Sequence, residues 1–333
     1  MIFKPTRSPR KSQRGRLASL ACSVVCAVSF AGASAQTYPS KPIRMIVPTA
    51  AGSLTDVVAR KGVVQMAITR GQPIVVENIV GAAGIVATDA VVRAPNDGYT
   101  LGIVPSTHAI LPALYKLPYD PIKSITPITM LGLAPMILVV NPKVPAHTTR
   151  ELIALAKTKP DGLTVGSAGI GTVGHLSAEL FANSAGIKWL HVPYKGNAGF
   201  STDLVGGQID AGFLGGAAAV QLVRSGKLRA LAVSTPARSS ALPEVPTLDE
   251  SGLPGYDVDV WVSLIAPAGT PSAIVARLQQ EAQRALSQKS VQDYLKDQSV
   301  DVMVTTPAAT LDIFQKDVAK YAKIVKDAGI KGE

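Results

Sequence analysis

The sequence predicts an α/β protein of two lobes, and three observations support that prediction. Short apolar strands alternate with helices along most of the chain, as in a largely parallel sheet covered by helices. Aromatic residues make up only 5% of the 333 residues, as expected where strands are buried between small-residue helices. Removal of an N-terminal leader leaves about 300 residues, which is more than one hydrophobic core usually serves.

The first 35 residues have the features of a secretory signal peptide. Residues 1–16 hold six Lys and Arg and no acid, residues 17–31 are almost wholly apolar, and Ala33-Ser34-Ala35 fits a cleavage site. We expect an exported chain, cleaved after Ala35, with no later membrane span. Cys22 and Cys26 both lie in this leader, so the mature chain has no thiol; a lipid anchor at either cysteine is the less favoured alternative.

Charge and composition narrow the class of partner. Loss of the leader's six basic residues lowers the formal net charge from +10 to +4. That mild surplus argues against nucleic-acid binding and is compatible with a small acidic ligand. With four His and no mature Cys, neither a metal site nor a cofactor is predicted.

The stretch LTVGSAGIGTVGHLSAELF, residues 163–181, predicts an anion site. Leu163 to Val165 end a buried strand, Gly166 to Gly174 form a glycine-rich turn, and a helix starts at His175. Backbone N–H groups are unpaired at a helix N-terminus, where the positive end of the helix dipole also lies. The hydroxyls of Ser167 and Thr172 can add donors to the same anion.

Two other functions are less well supported by this stretch. Gly169, Gly171 and Gly174 match the dinucleotide fingerprint, but no acid follows in residues 190–196 to hold a ribose, so a small anion is favoured. A hydrolase using Ser167 and His175 lacks a G-x-S-x-G elbow, and the turn gives no reason for the two side chains to meet. His175 and Glu179, one helical turn apart, are interpreted as a surface pair rather than metal ligands.

The first lobe repeats the pattern of a strand followed by a polar loop. Strands are predicted at Ile43–Val47, Pro73–Glu77 and Tyr99–Val104, the first followed by a helix through about Ala67 and the last by a loop over Pro105–His108. Loops after parallel strands meet at one sheet edge, where ligands collect. The polar candidates there are Thr49, Ser53, Ser106 and Thr107, while Asp56 is interpreted mainly as a helix cap.

The rest of the chain predicts a second lobe and a hinge. Residues 36–135 and 259–333 are assigned to lobe one and residues 136–258 to lobe two, with strands near Met136–Asn141 and Val258–Ala266 crossing between them. Residues 117–127 are proline-rich and predicted as a loop. Lys195, in Tyr194-Lys195-Gly196, is the best side-chain candidate for a carboxylate, and Trp261 is expected in the core.

Several of these stretches resemble one family. They include YPSKPIRMIVP from Tyr38, LPYDP from Leu117, HVPYKG from His191 and APAGTP from Ala266, and the resemblance runs in order from Tyr38 to the C-terminus. The sequence is similar to the Bug receptors, the periplasmic substrate-binding proteins of tripartite tricarboxylate transporters.

The resemblance implies a periplasmic-binding-protein-like (Venus flytrap) fold, a monomer that is not an enzyme, a small carboxylate ligand and an integral membrane permease as partner. Alternatives are a secreted hydrolase using the Ser167 loop and a receptor that reports ligand to a sensor. Carried over by position, the ligand-binding residues are Thr49, Ala50, Ser53, Thr55, Ser106, Thr107, His108, Ser167, Ala168, Gly171, Thr172, Tyr194, Lys195 and Gly196.

The chain departs from the family's pattern in three loops. Residues 49–54 lack the usual Phe and glycine run, residues 79–81 lack Arg-Pro-Gly, and Leu214-Gly215-Gly216 stands where an Asp often follows the strand. These changes remove an Arg and an acid and leave small or apolar residues. We therefore expect a bulkier or less polar ligand, such as an aromatic acid or a larger dicarboxylate, rather than a short amino acid.

Overall fold

The structure, a computed structural model, describes residues 1–4, 38–64, 66, 71–158 and 162–330. The predicted signal peptide lies almost entirely outside these residues. None of the helices among them is long and apolar enough to cross a bilayer. The sheet and helices considered below all lie within residues 41–330.

The first lobe is built on strands β1 (Ile43–Val47), β2 (Ile74–Asn78) and β3 (Thr100–Pro105), as predicted from their apolar runs. β1 lies between β2 and β3 and is parallel to both, so the loops after β1 and β3 leave the same edge. Three helices follow these strands in turn: α1 (Leu54–Val58, continued by a π-helical turn at Ala59–Val63), α2 (Ile85–Val92) and α3 (Thr107–Leu114).

The second lobe repeats this arrangement. Its strands are β5 (Thr164–Ser167), β6 (Leu190–Pro193), β7 (Ala211–Gly215) and β8 (Arg229–Val233), and β5 is parallel to both β6 and β7. Its helices are α4 (Thr149–Thr158), α5 (Val173–Ala185), α6 (Asn197–Gly206) and α7 (Gly216–Arg224).

One long strand joins the two lobes. β4 (Ile125–Val140) pairs antiparallel with β9 (Asp259–Pro267) along residues 125–135 and with β7 and β8 along residues 136–140. β9 also pairs with β3, which gives the order β2-β1-β3-β9-β4-β7-β5-β6. The curled mixed sheet confirms the predicted two-lobed α/β class with crossing strands.

The C-terminal segment packs onto the first lobe. It contains α8 (Ser272–Leu286), α9 (Lys289–Asp297), β10 (Asp301–Val302) and α10 (Pro307–Asp327). α10 packs along α3, α8 packs on β4 and the π-helical turn, and β10 adds to β4. Trp261 of β9 is buried as expected; its ring stacks on Phe314 of α10 and its indole N–H donates to Asp317 at 2.6 Å.

Several sequence predictions need correction. The loop predicted over Pro105–His108 ends at Ser106, because Thr107 begins α3, a helix that tolerates Pro112 in its interior. The loop predicted over residues 117–127 ends earlier, because β4 begins at Ile125 and accommodates Pro127 at a register shift, where a ladder hydrogen bond is not needed. The glycine-rich turn predicted at 166–174 is confined to residues 168–172. The predicted end of the first helix, Ala67, lies outside the described residues.

A cluster of carboxylates surrounds the first residue of β9. Asp259 lies near Asp257 and near Asp317 of α10, and Lys320 is the cation beside them, with its Nζ 2.7 Å from Asp317 Oδ1 and 3.1 Å from the Asp257 carbonyl. Burial, reinforced by the charges of Asp257 and Asp317, raises the pKa of Asp259 to about 7. The folded protein therefore binds an extra proton at Asp259 between about pH 4 and pH 7.

We predict that Asp259→Asn stabilises the protein at pH 8 but not at pH 4. In the wild type, the free energy of unfolding falls as pH rises from the unfolded pKa of about 4 to the folded pKa near 7, because ionised Asp259 is disfavoured in the folded state. The variant has no carboxyl to ionise at this position, so its free energy of unfolding at pH 8 should exceed that of the wild type by about 1–3 kcal/mol. Urea unfolding at both pH values measures it, with exposed Asp297→Asn as control; an equal effect of Asp259→Asn at both pH values would contradict the prediction.

Candidate functional site

A cavity of about 360 Å³ opens where the helix N-termini of the second lobe face the first lobe. Strand β5 leads into α5, β6 into α6 and β7 into α7, so the three helices begin at one edge of the sheet. Their first residues, Val173, Asn197 and Gly216, line the cavity, and Leu54, the first residue of α1, lines it from the first lobe. The remaining lining residues are Ala134, Met136, Ala168, Thr172, Gly174, Phe213, Gly215, Ala217, Ala218 and Val260.

This lining favours an anion through the backbone rather than through side chains. The first N–H groups of a helix have no intrahelical acceptor, and the positive end of the helix dipole adds to their field. Among the described residues that line the cavity, none carries a charged side chain. An anion here can therefore be held by oriented peptide groups, which need no counter-charge of their own.

The hydroxyls of Ser167 and Thr172 are already bonded within the protein. Thr172 caps α5: its Oγ1 donates to the Gly169 carbonyl at 2.7 Å and accepts from the His175 N–H at 3.3 Å. Ser167 is fully buried; its Oγ accepts from the Gly169 N–H at 3.2 Å and lies 2.7 Å from His191 Nε2. These contacts fix the shape of residues 168–172, so the two hydroxyls act first on the loop.

A stacked pair of histidines packs against the same loop. The rings of His175 and His191 lie 4.0 Å apart, 16° from parallel. His175 Nδ1 accepts from the Gly171 N–H at 3.1 Å, and its Nε2 lies 3.6 Å from Glu179 Oε1. The interpretation of His175 and Glu179 as a surface pair was wrong, because His175 is buried against His191 and the loop.

Electrostatics keep the His191 ring neutral. Burial, followed by the proximity of His175, lowers the pKa of His191 to about 4, although Glu179 opposes the shift. A neutral imidazole forms one hydrogen bond with Ser167 and places no positive charge next to the loop. No local sequence pattern indicates this contact, since His191 lies on β6 and reaches Ser167 across the pairing of β6 with β5.

The loop after β1 is fixed by a second polar network. Asp56 accepts from the Gly52 N–H, from Arg60 Nε and from Asn78 Nδ2 at 2.8–2.9 Å. Burial opposes ionisation of Asp56, but these hydrogen bonds outweigh it and lower the pKa of the carboxyl. Ser53 caps α1, and its Oγ lies 2.6 Å from Thr49 Oγ1. Asp56 is therefore not the cap of α1 that the sequence suggests, because Ser53 takes that position; Asp56 instead holds the loop through Gly52 and Asn78.

The sequence-predicted ligand residues fall into four groups. Ala168 and Thr172 line the cavity, while Ser53 and Gly196 immediately precede the lining residues Leu54 and Asn197. Gly171 lies against Leu114 of α3. The others lie outside the lining in this structure: Thr49, Ala50, Thr55, Ser106, Thr107, His108, Ser167, Tyr194 and Lys195. For all of them, ligand contact stays a prediction.

Four of the predicted residues that lie outside the cavity lining have clear contacts or surroundings. His108 is buried and its Nε2 donates to the Pro121 carbonyl at 2.8 Å. Tyr194 donates its hydroxyl to Asp203 at 2.7 Å, and Lys195, the favoured candidate for a carboxylate contact, is exposed. Ser106 is fully buried, and its Oγ has no hydrogen-bond partner among the described residues.

Most of the cavity lining was not predicted: of the fourteen described lining residues, only Ala168 and Thr172 are among the predicted ligand contacts. Residues 214–216 were interpreted only as a loop that lacks an Asp. The helix that starts at Gly216 and the apolar residues Met136, Phe213 and Val260 were not predicted to line a site. A signal was present, because Gly215-Gly216-Ala217 after β7 repeats the strand, small-residue turn and helix found after β5. The helix itself was overlooked since its glycines resemble a turn, although the Ala-rich continuation favours helix.

Comparison with known proteins identifies the family. Residues 58–330 match the tripartite tricarboxylate transporter family receptor domain. The chain belongs to this receptor family. The receptor is 34% identical over 318 residues to the protein BugT of Bordetella pertussis, an alignment that covers 95% of this chain and 98% of BugT.

Solved structures of relatives share the fold. MatC of Rhodopseudomonas palustris, solved with malate, is 34% identical with a TM-score of 0.72. The alignment covers 86% of this chain and all of MatC. An R. palustris protein solved with adipate is 31% identical with a TM-score of 0.77 and covers 89% of this chain and all of that chain. The resemblance to the Bug receptors, found from short motifs, is therefore confirmed.

We predict that Gly171→Ala destabilises the receptor more than Gly186→Ala does. Both glycines have positive φ, +74° and +61°, so each substitution strains the backbone by about 1–2 kcal/mol. At Gly171 an added Cβ would also lie 2.5 Å from Leu114 Cδ1, whereas nothing lies within 4 Å at Gly186. The overlap should add about 1–3 kcal/mol.

Urea unfolding of the two single variants measures this difference. In a Leu114→Ala background the extra cost of Gly171→Ala should disappear, leaving only the backbone strain. Equal destabilisation by Gly171→Ala and Gly186→Ala would show that the loop and α3 do not press on each other.

Proposed function

We propose that this receptor is a periplasmic protein that captures a small carboxylate between its two lobes and delivers it to the membrane permease of a tripartite tricarboxylate-type transporter. The observation that carries the proposal is the convergence of three helix N-termini on a cavity that also has a wall from the first lobe. Malate and adipate, the acids in the two solved relatives, both carry carboxylates, and a carboxylate is the kind of group that helix N-termini bind.

Capture by closure follows from how the lobes share the cavity. α5, α6 and α7 belong to the second lobe, Leu54 belongs to the first, and Val260 lies on β9 beside the shared strand β4. A ligand that touches both sides is bound more tightly by the closed form and shifts the equilibrium toward it. The permease would then recognise the closed receptor. The receptor itself acts as a monomer that is exported and cleaved after Ala35.

The rival hydrolase is disfavoured by the burial of its nucleophile. Ser167 does contact a histidine, His191, at 2.7 Å, which is the distance expected of a nucleophile and its base. Its side chain has no exposed surface, however, and its Oγ already accepts from the Gly169 N–H. A substrate carbonyl cannot reach Oγ without rebuilding the loop, so this pair is assigned a role in shaping the loop.

We predict that Val173→Pro weakens carboxylate binding about 10- to 100-fold. Val173 is the first residue of α5, a position that accepts proline, and Thr172 before it is extended with ψ of 157°, as a residue before proline prefers. The substitution therefore removes one N–H from the cavity wall while keeping the helix. A charge-assisted hydrogen bond of this kind is worth about 1.5–3 kcal/mol.

Val173→Ala is the matched control, because it trims the side chain but keeps the N–H. Calorimetric titration of both variants, and thermal unfolding without ligand, separates binding from stability. Equal affinities of the proline and alanine variants would contradict binding through the N-terminus of α5. Failure of the wild-type receptor to bind any mono-, di- or tricarboxylate would overturn the proposed function itself.

A further inference from the structure

The cavity wall presents two chemically different surfaces. One is formed by the first residues of α5, α6 and α7, whose peptide N–H groups favour an anion. The other is formed by Leu54, Ala134, Met136, Phe213 and Val260, which offer only apolar side chains. A ligand that fits both surfaces combines a charged group with an apolar body.

A second carboxylate would meet unfavourable surroundings. Burying an ionised group without a partner is unfavourable, and none of the described lining residues is a Lys or Arg. Two arginines lie six positions from a lining residue: Arg60 is paired with Asp56 and donates to Asn78, and Arg224 donates to the Ala241 carbonyl. Lys195 precedes the lining residue Asn197 by two positions but is exposed.

An ammonium group would be equally unsupported. No Asp or Glu belongs to the described lining, and Asp56, on the first turn after Leu54, is enclosed by the Gly52, Arg60 and Asn78 donors. Asp259 adjoins Val260 on β9, but successive side chains of a strand point to opposite faces, so its carboxyl faces away from the cavity. An amino acid would thus lose the hydration of its amine without gaining a counter-ion.

The size of the cavity is consistent with a compact ligand. A volume of about 360 Å³ lies at the small end of ordinary ligand pockets, about 300–1,000 Å³. Gly215, Gly216 and the alanines at 217 and 218 keep the backbone of α7 accessible, since they carry little side chain between the peptide groups and the ligand. The apolar body therefore occupies the space in front of Leu54 and Val260.

We propose that the ligand is a monocarboxylate with an uncharged alkyl or aryl body. Its carboxylate meets the N-termini of α5, α6 and α7, and its body packs against Leu54, Met136, Phe213 and Val260. This assignment rests on the proposed function and deepens it, because it separates this receptor from relatives whose structures hold the dicarboxylates adipate and malate.

Two matched pairs of acids test the assignment by calorimetric titration of the wild-type receptor. Hexanoate and adipate share a six-carbon chain and differ only in the second carboxylate, and 3-phenylpropanoate and phenylalanine differ only in the amine. We expect the monocarboxylate of each pair to bind at least ten-fold more tightly. Tighter binding of adipate or phenylalanine would overturn the substrate class but leave the carboxylate receptor intact, whereas no binding of any acid would overturn the proposed function.

Leu54→Arg provides a gain-of-function test at the apolar wall. A guanidinium there supplies the missing partner for a second carboxylate, so adipate should gain at least ten-fold relative to hexanoate. Val75→Arg, on the exposed face of β2, adds the same charge outside the cavity and should leave the affinity ratio of adipate to hexanoate unchanged. A folded Leu54→Arg protein with an unchanged ratio would contradict the placement of the ligand body against Leu54.

Discussion

Strand β4 pairs with strands of both lobes, and the rest of the receptor depends on that pairing. Its first part is paired with β9, its last five residues are paired with β7 and β8, and nearly all of its side chains are buried. A strand enclosed on both faces reads as a continuous apolar run. Because both lobes share this strand, a cavity beside Ala134 and Met136 has walls from each of them.

The loops at the cavity show how a binding surface can be made from backbone. Ser167, Thr172, His175 and His191 bond to one another or to the peptide groups of residues 169–171. In the first lobe, Asp56 and Ser53 do the same for residues 49–53. The side chains that sequence analysis favours as ligand contacts are in this way used to hold the loops, and the ligand is left with oriented N–H groups.

The elements that sequence predicts well are those with a local pattern. β1, β3 and α10 follow from apolar periodicity and from the cap at Thr306, which accepts from Ala309. α3 and α7 were missed because Pro112 and the glycines at 215 and 216 are local signals for turns, and tertiary packing overrides them. The stacked histidines were missed for a different reason, since they meet only when β6 pairs with β5.

The proposed binding mode is best tested by a crystal structure of the receptor with its tightest-binding acid. We expect a carboxylate within hydrogen-bond distance of the N–H groups of Val173 and Gly216, with the ligand body in contact with Leu54 of the other lobe. A carboxylate held instead by Lys195, or a ligand bound away from the N-termini of α5 and α7, would contradict it.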